Sequence, residues 1–101
     1  MNNLINIDFT KARQQADKLE ALANELENLT QNDYVSAMEQ IRGSWRGEAS
    51  DQFMNKGGVL ESDLRDTVTK LRKVVTNIRD RVSAVEKAQI QAMEIINRKN
   101  T

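Results

Sequence analysis

The chain contains no cysteine, no histidine and no proline among its 101 residues. Without cysteine it has neither a disulfide framework nor thiol chemistry, and without histidine it lacks the commonest general base and metal ligand. Proline breaks a helix interior because it has no N–H donor and clashes with the preceding turn. Its complete absence therefore favours long, uninterrupted helices.

Aromatic residues and net charge are also scarce. Phe, Trp and Tyr make up 4% of the chain, so any core is aliphatic, and 15 basic residues balance 15 acidic ones. The charge is nevertheless divided, because residues 1–44 carry 4 basic and 7 acidic side chains whereas residues 45–101 carry 11 and 8. Halves of opposite sign suit antiparallel contact, although scattered solvated charges explain most of such a division.

The sequence offers no recognisable site for chemistry. We find no nucleophile–base arrangement, no metal-ligand cluster and no glycine-rich loop for phosphates, so we predict a non-enzymatic protein without catalytic residues, cofactor or metal. The basic residues at 70–81 alternate with acids and apolar positions and have no aromatic neighbours, which disfavours nucleic acid. No apolar run is long enough for membrane insertion, and residues 1–7 lack the features of a conventional signal peptide.

Apolar spacing predicts a first helix over about residues 8–43. Asp8 or Thr10 can cap it, and apolar residues then recur in alternating steps of four and three, the spacing of a packed helix. Thr30–Asp33 interrupt the pattern with side chains that compete for backbone hydrogen bonds, so we expect a kink or a short break there. Residues 1–7 are predicted to form an extended arm. The apolar face consists of Ala12, Ala16, Leu19, Leu22, Ala23, Leu26 and Leu29, and the steps resume at Tyr34, Met38, Ile41 and Trp45.

A second helix is predicted over about residues 48–98, and it carries two apolar stripes. Glu48 and Asp51 suit its first turn, where the helix dipole favours negative charge. Gly57 and Gly58 interrupt the early helix, and we favour a weak point there over the close approach of another backbone. The first stripe follows an imperfect heptad pattern through Phe53, Leu60, Leu64, Leu71, Val74, Ile78, Val85, Ala88, Ala92 and Ile95. The second stripe is formed by Val68, Val75 and Val82, and then Ile96.

The segment Gly43-Ser44-Trp45-Arg46-Gly47 separates the two helical patterns and predicts a tight turn over residues 44–47. Two antiparallel helices joined by so short a loop make a helical hairpin. A lone hairpin leaves one stripe of the second helix in water, and long exposed apolar stripes usually mark an interface. We therefore predict an all-α fold in which two antiparallel hairpins form a four-helix bundle as an obligate dimer. The predicted dimer interface is Val68, Val75 and Val82, placed against a partner chain or at the bundle centre.

The triplet Trp45-Arg46-Gly47, between two helical heptad patterns, resembles the WXG family, the ESAT-six-like small proteins of type VII secretion. Ser44 before the tryptophan, with Ala49 and Phe53 after the glycine, resembles the family's run into its second helix. The resemblance covers almost the whole chain. It implies a dimer made in the bacterial cytoplasm and exported without a conventional signal peptide by a membrane-bound secretion ATPase. The implied partner is a second copy of the chain, a paralogous WXG-like protein or the N-terminal helical domain of a toxin.

The family's C-terminal export signal, a tyrosine followed four residues later by Asp or Glu, is incomplete in this chain. The position forty residues after the tryptophan holds valine, and the acid position holds glutamine. Two nearby pairs keep an apolar residue four positions before an acid, a spacing common on any amphipathic helix. The candidate signal residues are therefore Val82, Val85, Glu86, Gln89, Ile90 and Glu94. Alternatively, the chain depends on the signal of a partner.

Trp45 has two possible roles. It is either a buried plug at the end of the hairpin or, as the resemblance implies, a partly exposed surface that the secretion machinery reads. We favour the exposed role, because a tryptophan at a loop tip has few neighbours to cover it. Gly47 is expected to adopt a conformation, or a crowded position, that a Cβ would oppose. The leading function is a secreted WXG protein, and the alternatives are a targeting chaperone of a larger secreted toxin and a cytoplasmic helical adaptor.

Overall fold

A computed structural model describes residues 8–100, and nearly all of that range is helical. The elements are α1 (Phe9–Asn28), a π-helical segment (Leu29–Tyr34), α2 (Val35–Ser44) and α3 (Glu48–Asn100). The first three run on from one another without a loop, and we refer to them together as the first arm. The predicted all-helical class is confirmed, and the molecule is elongated, with extents of 81 × 18 × 16 Å. The extended arm predicted for residues 1–7 lies outside the described residues.

Local sequence accounts for the ends of the helices. Asp8 caps α1, because its Oδ1 accepts a hydrogen bond of 2.9 Å from the backbone N–H of Lys11. This bond satisfies one of the N–H groups that the first turn of a helix leaves unpaired. The 53 residues of α3 begin with Glu48 and Asp51 in the first turn and finish with basic residues in the last. Both placements complement the helix dipole.

The π-helical segment lies where the sequence predicts an irregularity. The chain does not break at Thr30–Asp33; instead, the helix widens by one residue per turn, and the N–H of Val35 bonds to the carbonyl of Thr30 five residues earlier. The buried Thr30 hydroxyl donates to the carbonyl of Leu26 at 2.7 Å. A π-helical turn inserts an extra residue into the α-helical repeat, so α2 continues with its side chains rotated relative to α1.

Ion pairs show that the first arm and α3 run antiparallel. Arg13 pairs with Glu86 at 2.6 Å, whereas Glu27, further along the first arm, pairs with Arg72, which is earlier in α3. Between the two helices lies a seam of six buried side chains, three from each, spaced seven residues apart. The seam residues are Ala16, Ala23 and Thr30 of the first arm and Val68, Val75 and Val82 of α3.

The seam corrects the predicted dimer interface. Val68, Val75 and Val82 were assigned to a partner chain or a bundle centre, but they are already buried within this single chain. The physical reason is size. Alanine at positions 16 and 23 lets the two backbones approach closely, and the compact valines of α3 fill the narrow gap that remains. Larger leucines do not fit this gap and lie beside it.

Candidate interaction surface and WxG turn

One edge of the helix pair is charged. The positions four residues after the seam residues hold Glu20 and Glu27 on α1, and Arg72, Arg79 and Glu86 on α3. Arg79 pairs with Asp17 at 2.7 Å and with Glu20 at 3.1 Å. A helix turns once every 3.6 residues, so positions four after the seam lie on one side of it. The ion pairs show that these sides of the two helices meet along the same edge.

The pairs of Arg13 with Glu86 and of Arg79 with Glu20 shift the pKa values of these four groups in the direction that favours the charged forms. Hydrogen bonds from Arg13 lower the pKa of Glu86, and those from Arg79 lower the pKa of Glu20. In return, the carboxylates raise the pKa values of Arg13 and Arg79 above the ordinary arginine value. All these groups are solvent-exposed, so the pairs orient the helices more than they stabilise them. The charged edge is thus occupied by contacts within the chain.

The opposite edge is apolar. Positions three residues after the seam lie on the other side of it, since three residues fall short of one helical turn. Beyond them, six positions after the seam, most side chains are again apolar, such as Leu22 and Val74, which are 51% and 45% exposed, although Arg81 stands at this spacing after Val75. We call this surface the open face. It consists of Leu19, Leu22, Leu26 and Leu29 of the first arm and Leu64, Leu71, Val74, Ile78 and Val85 of α3.

The open face is partly exposed, unlike the predicted interface residues Val68, Val75 and Val82, which are buried within the chain. It contains much of the first stripe, the imperfect heptad pattern predicted for the second helix. The members nearest the seam are half-buried, and the outer ones are about half exposed. The valine stripe of α3 is therefore the one that is buried within the chain, and much of the first stripe is left partly exposed. A contiguous aliphatic surface of this kind, beside a charged edge, is typical of protein–protein interfaces.

The turn between the arms is held by backbone hydrogen bonds and one side chain. The N–H of Trp45 donates to the carbonyl of Ile41 at 2.9 Å, and the N–H of Asp51 donates to the carbonyl of Gly47 at 3.0 Å. The buried Ser50 hydroxyl donates to the carbonyl of Trp45 at 2.8 Å. Gly47 has a φ of +116° with no atom near its Cα hydrogens, so conformation rather than crowding requires glycine there. This confirms the conformational alternative.

Trp45 is neither fully buried nor free. Its side chain is 43% exposed, and its ring lies 5.6 Å from that of Phe53 at an interplanar angle of 55°. Tilted aromatic pairs at this distance are mutually attractive. A shallow cleft of about 480 Å³ adjoins the indole and is lined by Arg42, Arg46, Ser50, Asp51 and Met54 among others. Within this chain, therefore, the indole presents a partly exposed surface at the end of the helix pair.

The two glycines of α3 have different surroundings. A Cβ on Gly57 would overlap the Met38 methyl group and lie 3.2 Å from the Tyr34 hydroxyl, whereas a Cβ on Gly58 would meet nothing. Close approach therefore applies to Gly57, and the approaching groups are side chains rather than a backbone. The Tyr34 hydroxyl also donates to the Gly57 carbonyl at 2.6 Å. The sequence predicted that both glycines merely weaken the helix. At Gly57 this prediction is wrong, because side chains occupy the space beside the glycine, whereas at Gly58 no contact argues against it.

The structure divides the candidate export-signal residues into two groups. Val82 is buried in the seam and is not available to a reader of the folded chain, whereas Glu86 is partly exposed and paired with Arg13. Their mutation would also disturb the helix contact. Gln89 is half-buried, whereas Val85, Ile90 and Glu94 are exposed. In the folded chain, only the second pair, Ile90 with Glu94, presents both of its members to solvent.

Two contacts were not anticipated from the sequence. The Ser50 bond to the turn and the Tyr34 bond to Gly57 each link residues whose pairing depends on three-dimensional placement. A partial signal existed for Ser50, because a serine just inside a helix readily bonds a nearby backbone group. A partial signal for the second contact was a tyrosine directly after one interruption of the apolar pattern and a glycine within another.

Within the described residues no metal-binding group indicates a function, and no similar protein does so either. Within residues 8–100, no group of acidic side chains is arranged to hold a metal ion, and no helix there is both long and apolar enough to cross a membrane. In comparisons with family models, curated proteins and solved structures, nothing matches the chain. Function must therefore be inferred from the residues and their geometry.

Proposed function

We propose that the chain is a non-enzymatic WXG-type protein that dimerises through the open face and is exported by a type VII secretion ATPase. In this arrangement two antiparallel helical hairpins form a four-helix bundle. The observation that carries the proposal is the one-sided surface of the helix pair, with ion pairs along one edge and exposed aliphatic side chains along the other. The partly exposed Trp45 beside a glycine-dependent turn supports the resemblance to the WXG family.

Dimerisation through the open face follows from the distribution of apolar area. Fully burying one leucine or valine side chain contributes about 1.5–3 kcal/mol, so covering several half-exposed ones together yields a substantial driving force. The seam between the helices consists largely of alanine and valine, which bury little area themselves. A four-helix bundle covers the open face of each chain with the same surface of the other.

Sedimentation of three proteins tests this interface. The wild-type chain and Val59→Asp, whose site is 63% exposed on the outer side of α3, are expected to sediment as dimers. Val74→Asp places a charge in the open face without touching the seam, so it should lower the mass towards that of a monomer. A wild-type chain that remains a stable helical monomer at micromolar concentration would contradict self-association. A helical protein that co-purifies would then point to a heteromer.

Export is tested in the source bacterium by comparing culture supernatants with and without its secretion ATPase. The wild-type protein should appear outside the cell only when the ATPase is present. Trp45→Ala should keep its helical circular dichroism and lose export, whereas Val59→Ala should keep both its helical circular dichroism and its export. Alanine at Ile90 and Glu94 should lower export without unfolding the protein. If export is unchanged in that double variant, the signal lies on a partner or elsewhere in the chain.

A targeting partner of a larger secreted protein is the second candidate. The observation that favours it is the end of α3, where Ile90, Met93, Ile95 and Ile96 are all more than half exposed. This apolar surface continues past the beginning of α1 and suits a longer helical partner. Purification of the chain from its source bacterium distinguishes the two candidates. A stoichiometric larger protein favours the targeting partner, and a homodimer favours the secreted WXG protein.

A further inference from the structure

Two irregular points in the helices lie at the same level of the molecule. In the first arm, the π-helical segment ends at Tyr34. In α3, Gly57 and Gly58 occupy the helix interior, where each glycine costs about 1 kcal/mol relative to alanine. The hydrogen bond of 2.6 Å between the Tyr34 hydroxyl and the Gly57 carbonyl joins these two points directly. Met38 fills the space that a side chain at position 57 would occupy.

The part of the molecule beyond this contact is weakly held. We call it the tip, and it comprises α2, the turn and residues 48–56 of α3. Ser50 is the only buried residue in the tip, all of which the structure describes, and its hydroxyl bonds within the turn. No ion pair joins α2 to α3, whereas the ion pairs between the described parts of the two arms link residues 13–27 to residues 72–86, on the other side of the contact. Segments with few buried contacts open at lower free energy than the core.

We propose that the tip opens as a separate unit while the base remains folded, and that the Tyr34–Gly57 hydrogen bond is the latch that keeps it closed. The base comprises residues 9–30 of the first arm and residues 64–89 of α3, which include the seam and the ion pairs between the arms. Opening separates Met38 from Gly57 and exposes the narrow cleft of about 210 Å³ that both residues line. Glycine at 57 lets Tyr34 and Met38 close directly onto the α3 backbone. Opening needs no partner, so this proposal does not depend on the proposed export function.

Hydrogen exchange of the full chain, followed by mass spectrometry of its peptides, tests the latch. In the wild-type chain, amides of the tip should exchange at least tenfold faster than amides of the seam helices. Tyr34→Phe removes only the hydroxyl. Since one hydrogen bond contributes about 1 kcal/mol net, it should accelerate exchange in the tip about fivefold and leave the base unchanged. The sole tryptophan, Trp45, lies in the tip, so its accessibility to a soluble quencher should rise in parallel.

Thr67→Val is the matched control, because the Thr67 hydroxyl donates only within α3, to the Asp63 carbonyl at 2.9 Å. This variant also loses one hydroxyl but no contact between the arms, so tip exchange should stay at the wild-type rate. Two results would overturn the proposal. One is a wild-type tip that exchanges as slowly as the base. The other is a Tyr34→Phe variant whose exchange is unchanged, or is accelerated equally along the whole chain.

Discussion

The base and the tip both consist of the first arm packed antiparallel against α3, yet different side chains join the two helices in each region. In the base, small residues recur every seven positions, so the helices approach closely and bury a continuous seam. In the tip and at its boundary with the base, the two helices meet through one tyrosine hydroxyl, one methionine methyl group and one aromatic pair. The difference shows that a small-residue seam buries side chains completely, whereas a few large side chains leave most of their surface exposed.

The π-helical segment accounts for the change from one region to the other. The seven-residue spacing of Ala16, Ala23 and Thr30 would place residue 37 next in the seam. The extra residue of the π turn rotates α2 away from that position, and Ala37 is exposed. The tip therefore cannot continue the seam of the base, and long side chains such as Tyr34 and Met38 span the gap.

The largest expected effect comes from a charge in the seam. Val75→Asp buries a carboxylate with no partner, so the free energy of unfolding should fall by about 3–5 kcal/mol, enough to unfold a small domain. Urea denaturation followed by circular dichroism measures this loss. Val59→Asp, the same change on the exposed side of α3, should cost less than about 0.5 kcal/mol. Similar losses in both variants would mean that the seam does not hold the base.

A smaller effect is expected at the turn. Gly47→Ala forces an L side chain into a backbone with φ of +116°, which should cost about 1–3 kcal/mol. Gly43→Ala is its matched control, since residue 43 is helical with open space around it, and it should gain up to about 1 kcal/mol. Opposite signs in urea denaturation would confirm the difference. If both variants gain stability, the turn has another conformation in solution.

The smallest effect is that of acid on the charged edge. Because their partners lower the folded-state pKa values of Glu20 and Glu86, these pairs contribute stability above the ordinary glutamate pKa of about 4.3. That contribution is lost as the pH falls through the still lower folded values. Melting temperatures between pH 6 and pH 3 should therefore decline less for Glu86→Gln than for the wild type. Glu39→Gln, on exposed α2, should follow the wild-type decline, and high salt should reduce the difference.

Several features could be predicted from the sequence because they depend on local chemistry. A cap at Asp8 or Thr10, the irregularity at Thr30–Asp33, the turn and a Gly47 position that opposes a Cβ each follow from residues that lie close together in the chain. The helix bounds are also close to expectation, since proline is absent and the apolar steps are regular. Only the nature of the irregularity, a π turn rather than a break, differs from the expected range.

Contacts between distant residues were harder to predict. Two neighbouring apolar stripes on α3 were visible, but the sequence did not reveal which one packs within the chain. We expected the valine stripe to lie against a partner chain or at the bundle centre, whereas the structure buries it within the chain and leaves much of the leucine-rich stripe partly exposed. A rule based on hydrophobicity alone favours leucine, whereas packing against alanine favours the smaller side chain. Likewise, the sequence did not show that Val82 is buried in the seam or that Glu86 is paired with Arg13.

The sequence by itself determined that this chain forms two long helical arms joined by a glycine-dependent turn, because helix propensity, capping and backbone conformation are set by neighbouring residues. Only the tertiary structure decided which faces those arms turn towards each other. That choice depends on how closely two backbones can approach and on where a single π turn shifts the following side chains, and both are properties of the assembled pair. The open face, with its leucines and valines exposed along one edge, is the consequence of that choice.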